Sequence, residues 1–222
     1  MAGISYSSLK CQRRGRRLIC VLLCIVMLAL GTLPASAASV YSDVSEDQPL
    51  AAVIDKVSSE GLFEGSGGRF KADRPFTRAM MSKVMQRLLK GQIKAPAGKP
   101  LFEDVPEGAW YQDSSFVMVF LGILNPAQDP LFHPDQQITR EDFARFLYVY
   151  VRYEGLEGSN SYEVMNLPDL RDMDPACRDA AGWALSAGVL RTFGDGSFAP
   201  KGLMSRGDAA LAFSRYLALM EQ

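Results

Sequence analysis

One pattern occurs three times in this chain and constrains its fold more than any other feature. Each copy contains a glycine, a phenylalanine nine or ten residues later, and then a serine or threonine followed directly by arginine. The copies are Gly61, Phe70, Thr77, Arg78; Gly122, Phe132, Thr139, Arg140; and Gly188, Phe198, Ser205, Arg206. The arginine always follows the phenylalanine by eight residues, whereas the arginines lie 62 and 66 residues apart. A fixed local spacing within a loose long period indicates one structural unit used three times.

The first 37 residues have the features of a signal peptide. Five basic residues within positions 10–17 precede an apolar stretch from Leu18 to Leu30, and Ala35-Ser36-Ala37 resembles a cleavage site. The apolar stretch is shorter than the roughly 20 residues that a membrane-spanning helix needs. We therefore predict that residues 1–37 are a signal peptide and that the chain is exported. A membrane contact is expected only if this segment is retained as an anchor.

The composition excludes several classes of protein. Removal of residues 1–37 would leave Cys177 as the single cysteine beside the single histidine, His133, so neither a zinc site nor another cofactor is expected. The remaining chain would have 19 basic against 25 acidic residues, a net charge of −6, which is not the balance of a nucleic-acid-binding protein. We expect Cys177 to be a small apolar residue on a helix, and His133 to lie in a loop.

Each copy of the pattern predicts a helix, a loop and a second helix. Apolar residues follow the spacing of one helix face in the first helix of repeats 2 and 3: Phe116, Val119, Phe120, Ile123; and Ala180, Trp183, Ala184, Ala187. The glycine that opens each copy is expected to end the first helix in the left-handed conformation. Because no segment alternates convincingly with period two, we predict a mainly α fold.

The loop and the start of the second helix are also predicted by the pattern. The phenylalanine is the lone large apolar residue of a loop rich in glycine, proline and aspartate, so we expect it to anchor that loop to the core. Thr77, Thr139 and Ser205 are expected to cap the second helix. Asp142 and Asp208 lie three residues further on, which approximates a capping box with aspartate in place of glutamate.

These residues carry a resemblance to a known family. Repeat 2 resembles an S-layer homology repeat through Trp110 and four segments: Phe102-Glu103-Asp104-Val105, Gly122-Ile123-Leu124, Phe132-His133-Pro134-Asp135 and Ile138-Thr139-Arg140-Glu141-Asp142-Phe143. Repeats 1 and 3 resemble it through Ser42-Asp43-Val44 and Thr77-Arg78-Ala79-Met80, and through Gly194-Asp195-Gly196-Ser197-Phe198 and Ser205-Arg206-Gly207-Asp208. The repeats are assigned to residues 38–92, 99–153 and 165–222, and no further module is expected after repeat 3.

The resemblance implies both a fold and a function. It implies three tandem helix-loop-helix repeats in a pseudo-three-fold arrangement around a central helical bundle, with grooves between neighbouring repeats. It also implies an exported module at the cell surface that binds secondary cell wall polysaccharide without a covalent bond. In this family the polysaccharide often carries pyruvate ketals, so an anionic ligand is expected.

The repeated arginine has two alternative explanations. A cation in the first turn of a helix opposes the helix dipole, at a cost of up to about 1 kcal/mol at an exposed site. A bound anion would offset this cost, because helix amides and a guanidinium group both favour such a ligand. Alternatively, each arginine pairs with a nearby carboxylate, such as Asp43, Asp104 or Asp169, and serves packing alone.

The repeats depart from the family pattern in ways that make the grooves unequal. Met80 replaces the acidic residue of repeat 1, and Trp110 is the only tryptophan at the head of a first helix. We therefore expect the best groove to contain Trp110 and Arg140, and Arg78 to be a weakened site. Trp183 is expected in the core. The candidate ligand-binding residues are Arg78, Arg140, Arg206, Trp110, Thr139, Asp142, Ser205 and Asp208.

The sequence contains no arrangement typical of an enzyme. A catalytic triad would have to include His133, the single histidine, and no Ser, His, Asp arrangement is evident. Adjacent carboxylates such as Glu141 and Asp142 point in different directions on a helix. The predicted function is therefore binding to cell wall polysaccharide. The alternative is a structural or assembly protein of the envelope, whose degenerate grooves leave its surface to recognise a protein partner.

Overall fold

A computed structural model describes residues 40–45, 47–96, 98–156, 166–171 and 173–221. The predicted signal peptide, residues 1–37, lies outside the described residues and stays a prediction. Six α-helices are formed in the described part of the chain: α1 Ala51–Ser59, α2 Arg78–Leu88, α3 Gln112–Phe120, α4 Arg140–Tyr153, α5 Pro175–Ser186 and α6 Arg206–Met220. A short 3-10 helix, Pro168–Leu170, precedes α5.

The predicted mainly α fold is confirmed. Within the ranges given above, β structure is limited to isolated bridges and no strand is formed. None of these helices combines the length and the apolar character that crossing a membrane would require. Each repeat contributes two helices, so the helix-loop-helix unit that the repeated pattern predicts is present three times.

The predicted helix ends are also confirmed. Gly61, Gly122 and Gly188 follow the first helix of each repeat and all have φ of 70°, a left-handed conformation that a side chain would oppose. The second helices begin after Thr77, Thr139 and Ser205, whose hydroxyl oxygens each accept a hydrogen bond from the third amide of the helix. Complete capping boxes are formed at α4 and α6, where the third residue is aspartate.

The helices pack in an order that links each repeat to the next one. The second helix of a repeat packs against the first helix of the following repeat, so that α2 lies against α3 and α4 against α5. The last helix, α6, returns to pack against α1. Both helices of each repeat therefore pack against a helix of a neighbouring repeat. This packing buries apolar surface that a single two-helix unit could not bury alone.

A closed ring of backbone hydrogen bonds joins the three loops immediately before the second helices. The amide of Phe76 donates to the carbonyl of Met204, Ile138 donates to Phe76, and Met204 donates to Ile138, each at 2.9 Å. All three side chains are buried, at 1% exposure or less. The ring fixes the order of contacts between repeats; a pseudo-three-fold rotation about a central bundle stays a prediction.

The core contains most of the apolar residues that the sequence analysis placed there. The loop phenylalanines Phe70, Phe132 and Phe198 are at most 1% exposed, and Trp183 is 3% exposed. Cys177 is half-buried on α5, and His133 lies in a loop. Trp183 packs beside Tyr148 of α4, with ring centroids 5.6 Å apart. These contacts confirm that Trp183 belongs to the interface between α4 and α5.

The apolar positions predicted on one face of α3 are unequally buried, although the helix itself is confirmed: Ile123, just after the helix end, is buried and Val119 packs against the core. Phe120 is 44% exposed, whereas the buried residues of the helix are Ser114, Ser115, Val117 and Met118. Small side chains on this face allow α3 to approach α2 closely, and the hydroxyl oxygens of Ser114 and Ser82 lie 2.9 Å apart. Phe120 instead packs edge-on against Tyr153 at the surface.

Candidate functional site

The phenylalanine loop of each repeat is held by the aspartate of the same repeat. In repeat 1, the amides of Phe70 and Lys71 donate to the two carboxylate oxygens of Asp43 at 2.7 and 2.8 Å. The equivalent amides of repeats 2 and 3 donate to Asp104 and Asp169 at 2.6–2.8 Å. The residue after each phenylalanine has φ of 52° to 59°, which turns two successive amides toward one carboxylate. Two hydrogen bonds to one carboxylate therefore hold the backbone of each loop at this point.

The same loops are held from the other side by the arginine of the preceding repeat. Arg78 donates from Nη1 to the Phe132 carbonyl at 2.9 Å. Arg140 donates from Nε to the Phe198 carbonyl at 2.7 Å and from Nη2 to the Arg191 carbonyl at 2.6 Å. The series closes at Arg206, whose Nε donates to the Phe70 carbonyl at 3.0 Å. Each arginine thus joins two repeats.

These contacts decide part of the choice left open by the sequence. The arginines form no direct ion pair with Asp43, Asp104 or Asp169 in the described part of the chain, because those carboxylates accept hydrogen bonds from loop amides while the guanidinium groups donate to carbonyl oxygens. Each carboxylate still acts at longer range, and it raises the pKa of the arginine of the preceding repeat rather than that of its own repeat. A packing role for the arginines is nevertheless evident. Whether the same side chains also bind a ligand depends on which of them remains accessible.

The amides at the helix starts are not available to an anion, so the expectation that they would bind one is wrong. The first and second amides of α4, at Arg140 and Glu141, donate to the carbonyls of Gly202 and Pro200 at 2.9 and 3.0 Å. Equivalent bonds satisfy the first two amides of α2 and α6. The third amide of each helix donates to the capping hydroxyl. An anion at these helix starts would therefore have to be bound by side chains.

Four of the candidate residues form the capping boxes. The hydroxyls of Thr139 and Ser205 donate to the carboxylates of Asp142 and Asp208 at 2.7 Å, and the amides of Asp142 and Asp208 donate back to the hydroxyl oxygens. This reciprocal bonding explains the residue types at these positions. A direct role for these four residues in ligand binding stays a prediction.

The three arginines differ in their electrostatic surroundings. Burial lowers the pKa of Arg78 and Arg140, and the strongest opposing effect comes from the carboxylates of Asp142 and Asp208, respectively. Burial also lowers the pKa of Arg206, but the residue of repeat 1 that stands in the equivalent position is Met80. Its sulfur lies 3.7 Å from Nη1 of Arg206. The opposing effects on Arg206 come from Tyr41 and Asp43, so Arg206 lacks only the capping carboxylate that accompanies the other two arginines.

This arrangement corrects the interpretation of Met80. We expected the missing acidic residue to weaken the site at Arg78, which is in the same repeat. The second helix of one repeat supplies the acidic residue that faces the arginine of the preceding repeat, so Met80 changes the surroundings of Arg206 instead. The departure leaves one guanidinium group without a nearby capping carboxylate.

A cavity of about 470 Å³ contains Arg206 together with Trp110. Trp110 is 56% exposed, and its ring packs edge-on against Tyr111 at 5.2 Å. Residues of repeat 1 complete the wall, including Lys83 and Arg87 from α2 and Glu64 from the loop. The Glu64 carboxylate pairs with Arg87 at 2.6 Å. We call this cavity the Trp110 groove.

The expected combination of Trp110 with Arg140 is not what the Trp110 groove contains. Because α3 packs against α2, the head of α3 lies beside repeat 1, where Arg206 reaches in from repeat 3. Arg140 is 9% exposed, and its guanidinium carbon lies 4.7 Å from the Phe193 ring centroid and 4.9 Å from that of Phe198. Arg140 is therefore the most enclosed of the residues predicted to bind a ligand, and Arg206 is better placed.

The sequence analysis missed several residues of the Trp110 groove. Lys83 and Arg87 are four positions apart on α2, a spacing that places both on one helix face and could have indicated a basic edge. Their position beside Trp110 could not be read from the sequence, since it results from the packing of α2 against α3. A second cavity, of about 440 Å³, shares Arg206, Glu64, Ser66 and Met80 with the first and includes Lys71 and Arg74.

Comparison with known families identifies the repeated unit. The model of the S-layer homology domain matches residues 40–80, 101–144 and 166–210. Each matched segment runs from the start of a repeat into its second helix, so the match follows the units defined by the hydrogen-bond network. The three segments together account for more than half of the chain.

The chain is similar to several curated bacterial proteins, two of which are surface-layer or cell surface proteins by name. The chain is 24% identical over 209 residues to the surface-layer 125 kDa protein of Lysinibacillus sphaericus, covering 92% of this chain and 17% of that protein. It is 32% identical over 118 residues to cell surface glycoprotein 1 of Acetivibrio thermocellus, covering 49% of the chain and 5% of the relative. It is 25% identical over 164 residues to exoglucanase XynX of the same species, which covers 71% of this chain and 14% of that protein. The chain thus spans less than a fifth of each relative.

Proposed function

Since the chain belongs to the S-layer homology domain family, we propose that it binds an anionic secondary cell wall polysaccharide in the Trp110 groove. Members of this family are wall-anchoring modules, and the chain is accordingly an exported, wall-associated binding module. We propose in addition that the polymer is anionic and that it binds in this groove. A pyruvate ketal would supply a suitable carboxylate.

The observation that carries the proposal is the contact of Arg206 with Met80. A guanidinium group donates up to five hydrogen bonds. Arg206 directs Nε and Nη2 to the carbonyls of Phe70 and Glu64, at 3.0 and 3.2 Å, while Nη1 has the weakly accepting Met80 sulfur. A ligand carboxylate would be a much stronger acceptor than a thioether. Arg206 thus combines a fixed position with unused capacity to bind an anion.

The rest of the Trp110 groove suits a charged sugar. The exposed ring of Trp110 offers a flat apolar surface on which a sugar ring can stack. Lys83 adds a second cation, whose ammonium group donates to the Gln86 side chain at 3.0 Å and keeps further donors. Arg87 is already paired with Glu64 and is expected to position the loop rather than bind the polymer. The groove therefore provides a stacking surface and two cations for one anionic unit.

Co-sedimentation of the purified protein with cell walls tests this function. We expect binding to intact walls and its loss after the polysaccharide has been removed chemically. A Trp110→Ala, Lys83→Gln double variant is expected to bind at least about tenfold more weakly, because it loses a stacking surface and a charge. The matched control is Tyr153→Ala, Lys94→Gln, which removes an exposed aromatic ring and a lysine that do not line the groove.

The same experiment evaluates the alternative function. Equal binding to intact and stripped walls would contradict the polysaccharide proposal and favour an assembly protein that recognises a protein partner. If the Trp110, Lys83 variant binds intact walls as well as the unaltered protein does, and neither binds stripped walls, the polymer would have to bind in another groove. Circular dichroism of each variant establishes that the fold is retained.

A further inference from the structure

We propose that the loop of repeat 1 extends the Trp110 groove and binds a second anionic unit of the same polymer. This inference rests on the function proposed above and adds to it the length of polymer that is recognised. The loop contains three basic residues, Arg69, Lys71 and Arg74, on either side of the buried Phe70. We call these three residues the basic loop.

The basic loop lines a large cavity of its own. This cavity has a volume of about 710 Å³, and its opposite wall consists of Gln48, Pro49 and Leu50 at the head of α1. Asp43 and Asp73 also contribute to the lining. A space of this size is large enough for a small organic ligand or part of a larger polymer.

The basic-loop cavity is connected to the Trp110 groove through shared walls. Lys71 and Arg74 line both the 710 Å³ cavity and the intermediate cavity of about 440 Å³, and Arg206 lines both the intermediate cavity and the Trp110 groove. The series of cavities crosses repeat 1 from the head of α3 to the head of α1. An elongated ligand that contacts Trp110 can therefore continue toward the basic loop.

Backbone hydrogen bonds attach the basic loop to the start of α6. The amide of Arg206 donates to the carbonyl of Arg74 at 2.8 Å, and the amide of Gly207 donates to that of Ala72 at 2.8 Å. The basic loop is thus attached directly to the helix that carries the anion-binding arginine. Its charges are placed at a fixed separation from Arg206, which reduces the entropy lost when both ends bind one polymer.

The charges of the basic loop are only partly compensated. Lys71 and Arg74 have no ion-pair partner among the described residues, and Arg69 lies 4.0 Å from Asp43 with 61% of its side chain exposed. The oxygens of Asp43 already accept hydrogen bonds from the Phe70 and Lys71 amides. Three cations and the two carboxylates of Asp43 and Asp73 line this cavity, so its walls have a net positive charge in a protein whose overall charge is slightly negative.

The basic loop is particular to repeat 1. The positions equivalent to Arg69, Lys71 and Arg74 are Leu131, His133 and Gln136 in repeat 2, and Ser197, Ala199 and Gly202 in repeat 3. The fold of the loop does not need positive charge, since repeats 2 and 3 make the same aspartate and arginine contacts without it. The charge is therefore available for a ligand.

Titration calorimetry with fragments of the wall polysaccharide tests the inference. Fragments of one repeating unit and of several units are prepared from the walls of the organism that encodes the chain, and affinities are expressed per repeating unit. We expect the longer fragments to bind at least about tenfold more tightly, because the second contact forms at high effective concentration. An Arg69→Gln, Arg74→Gln variant is expected to lose this gain while its affinity for the single unit stays within about twofold.

A matched control and two other outcomes make the test decisive. Lys94→Gln, Lys99→Gln removes the same charge at exposed positions outside these cavities and is expected to retain the full gain. Equal affinity of the unaltered protein for short and long fragments, or an undiminished gain in the Arg69, Arg74 variant, would overturn the extended groove and leave the proposed function intact. Failure of both fragments and the intact polymer to bind would instead overturn the proposed function.

Discussion

Arg206 donates a hydrogen bond from Nε to the carbonyl oxygen of Phe70 at 3.0 Å, although the two residues are 136 positions apart. The guanidinium carbon also lies 4.8 Å from the centroid of the Phe70 ring. This contact joins the last repeat to the first. Together with the equivalent contacts of Arg78 and Arg140, it makes each loop dependent on the repeat before it, so we expect the three repeats to unfold as one cooperative unit.

Arg140→Ala should destabilise the whole domain, by about 2–4 kcal/mol. The substitution leaves the carbonyls of Phe198 and Arg191 without their donor and removes the contacts with two phenylalanine rings. Urea unfolding followed by circular dichroism measures the loss. Arg191→Ala is the control, because that side chain is exposed, and we expect it to cost less than about 0.5 kcal/mol. Equal stability of the two variants would show that Arg140 does not join the repeats.

Asp43→Asn should weaken the domain at neutral pH and reduce its sensitivity to acid. Burial of Asp43 would raise its pKa, but hydrogen bonds from the amides of Phe70 and Lys71 and the charge of Arg69 outweigh this effect and lower it. The stabilisation from a lowered pKa is complete above the unfolded value of about 3.9 and is lost as the pH falls through the folded value. The asparagine variant lacks this contribution at every pH.

The measurement for Asp43 is the free energy of unfolding between neutral pH and about pH 3. We expect the variant to be about 1–3 kcal/mol less stable at pH 7 and the difference to shrink as the pH falls below about 4. Asp47→Asn, at an exposed position near the start of α1, provides the control and should leave the curve unchanged. A difference that stays constant with pH would contradict a stabilising carboxylate at Asp43.

Met118→Ala and Phe120→Ala should differ sharply in stability, although both remove large apolar side chains from α3. Met118 is fully buried, so its truncation is expected to cost about 2–5 kcal/mol. Phe120 is 44% exposed and mainly contacts Tyr153, so its truncation should cost about 0.5–1.5 kcal/mol. Thermal unfolding of both variants measures the difference. A larger loss of stability for the Phe120 variant would show that Phe120, and not Met118, lies on the buried face of the helix.

The sequence contains enough local information to predict the repeated unit. Glycine at a left-handed position, a hydroxyl cap and an anchoring phenylalanine each act within a few residues of their own position, so their spacing alone identifies two helices and a loop. The buried face of α3 was harder to predict. Its small polar residues pack because a particular neighbour, α2, approaches them, and Ser114 becomes buried only in that context.

The groove could not be assembled from the sequence because its walls come from three repeats. Trp110 belongs to repeat 2, Arg206 to repeat 3, and Met80 to repeat 1. A sequence pattern considers the residues of one repeat together, and it therefore suggests that Met80 affects Arg78 of the same repeat. The structure pairs residues across the boundary between repeats, which reassigns Met80 to Arg206 and changes which groove is best suited to an anion.

Met80→Asp should leave the stability of the domain within about 1 kcal/mol of its original value. An aspartate at this position would complete a capping box with Thr77, as Asp142 and Asp208 do with their caps, and would favour the positive end of the α2 dipole. This gain offsets the loss of the partly buried methionine side chain. Urea unfolding measures the balance, and a loss above about 3 kcal/mol would show that Met80 is needed mainly for packing.

The affinity of the Met80→Asp variant for purified wall polysaccharide tests the central claim most directly. The new carboxylate would pair with Arg206 and compete with a polymer anion, so we predict that binding weakens at least about tenfold, equivalent to ~1.4 kcal/mol. Met80→Leu, which keeps an apolar side chain, should bind within about twofold of the unaltered protein. Unchanged affinity in the folded Met80→Asp variant would contradict a polysaccharide site at Arg206.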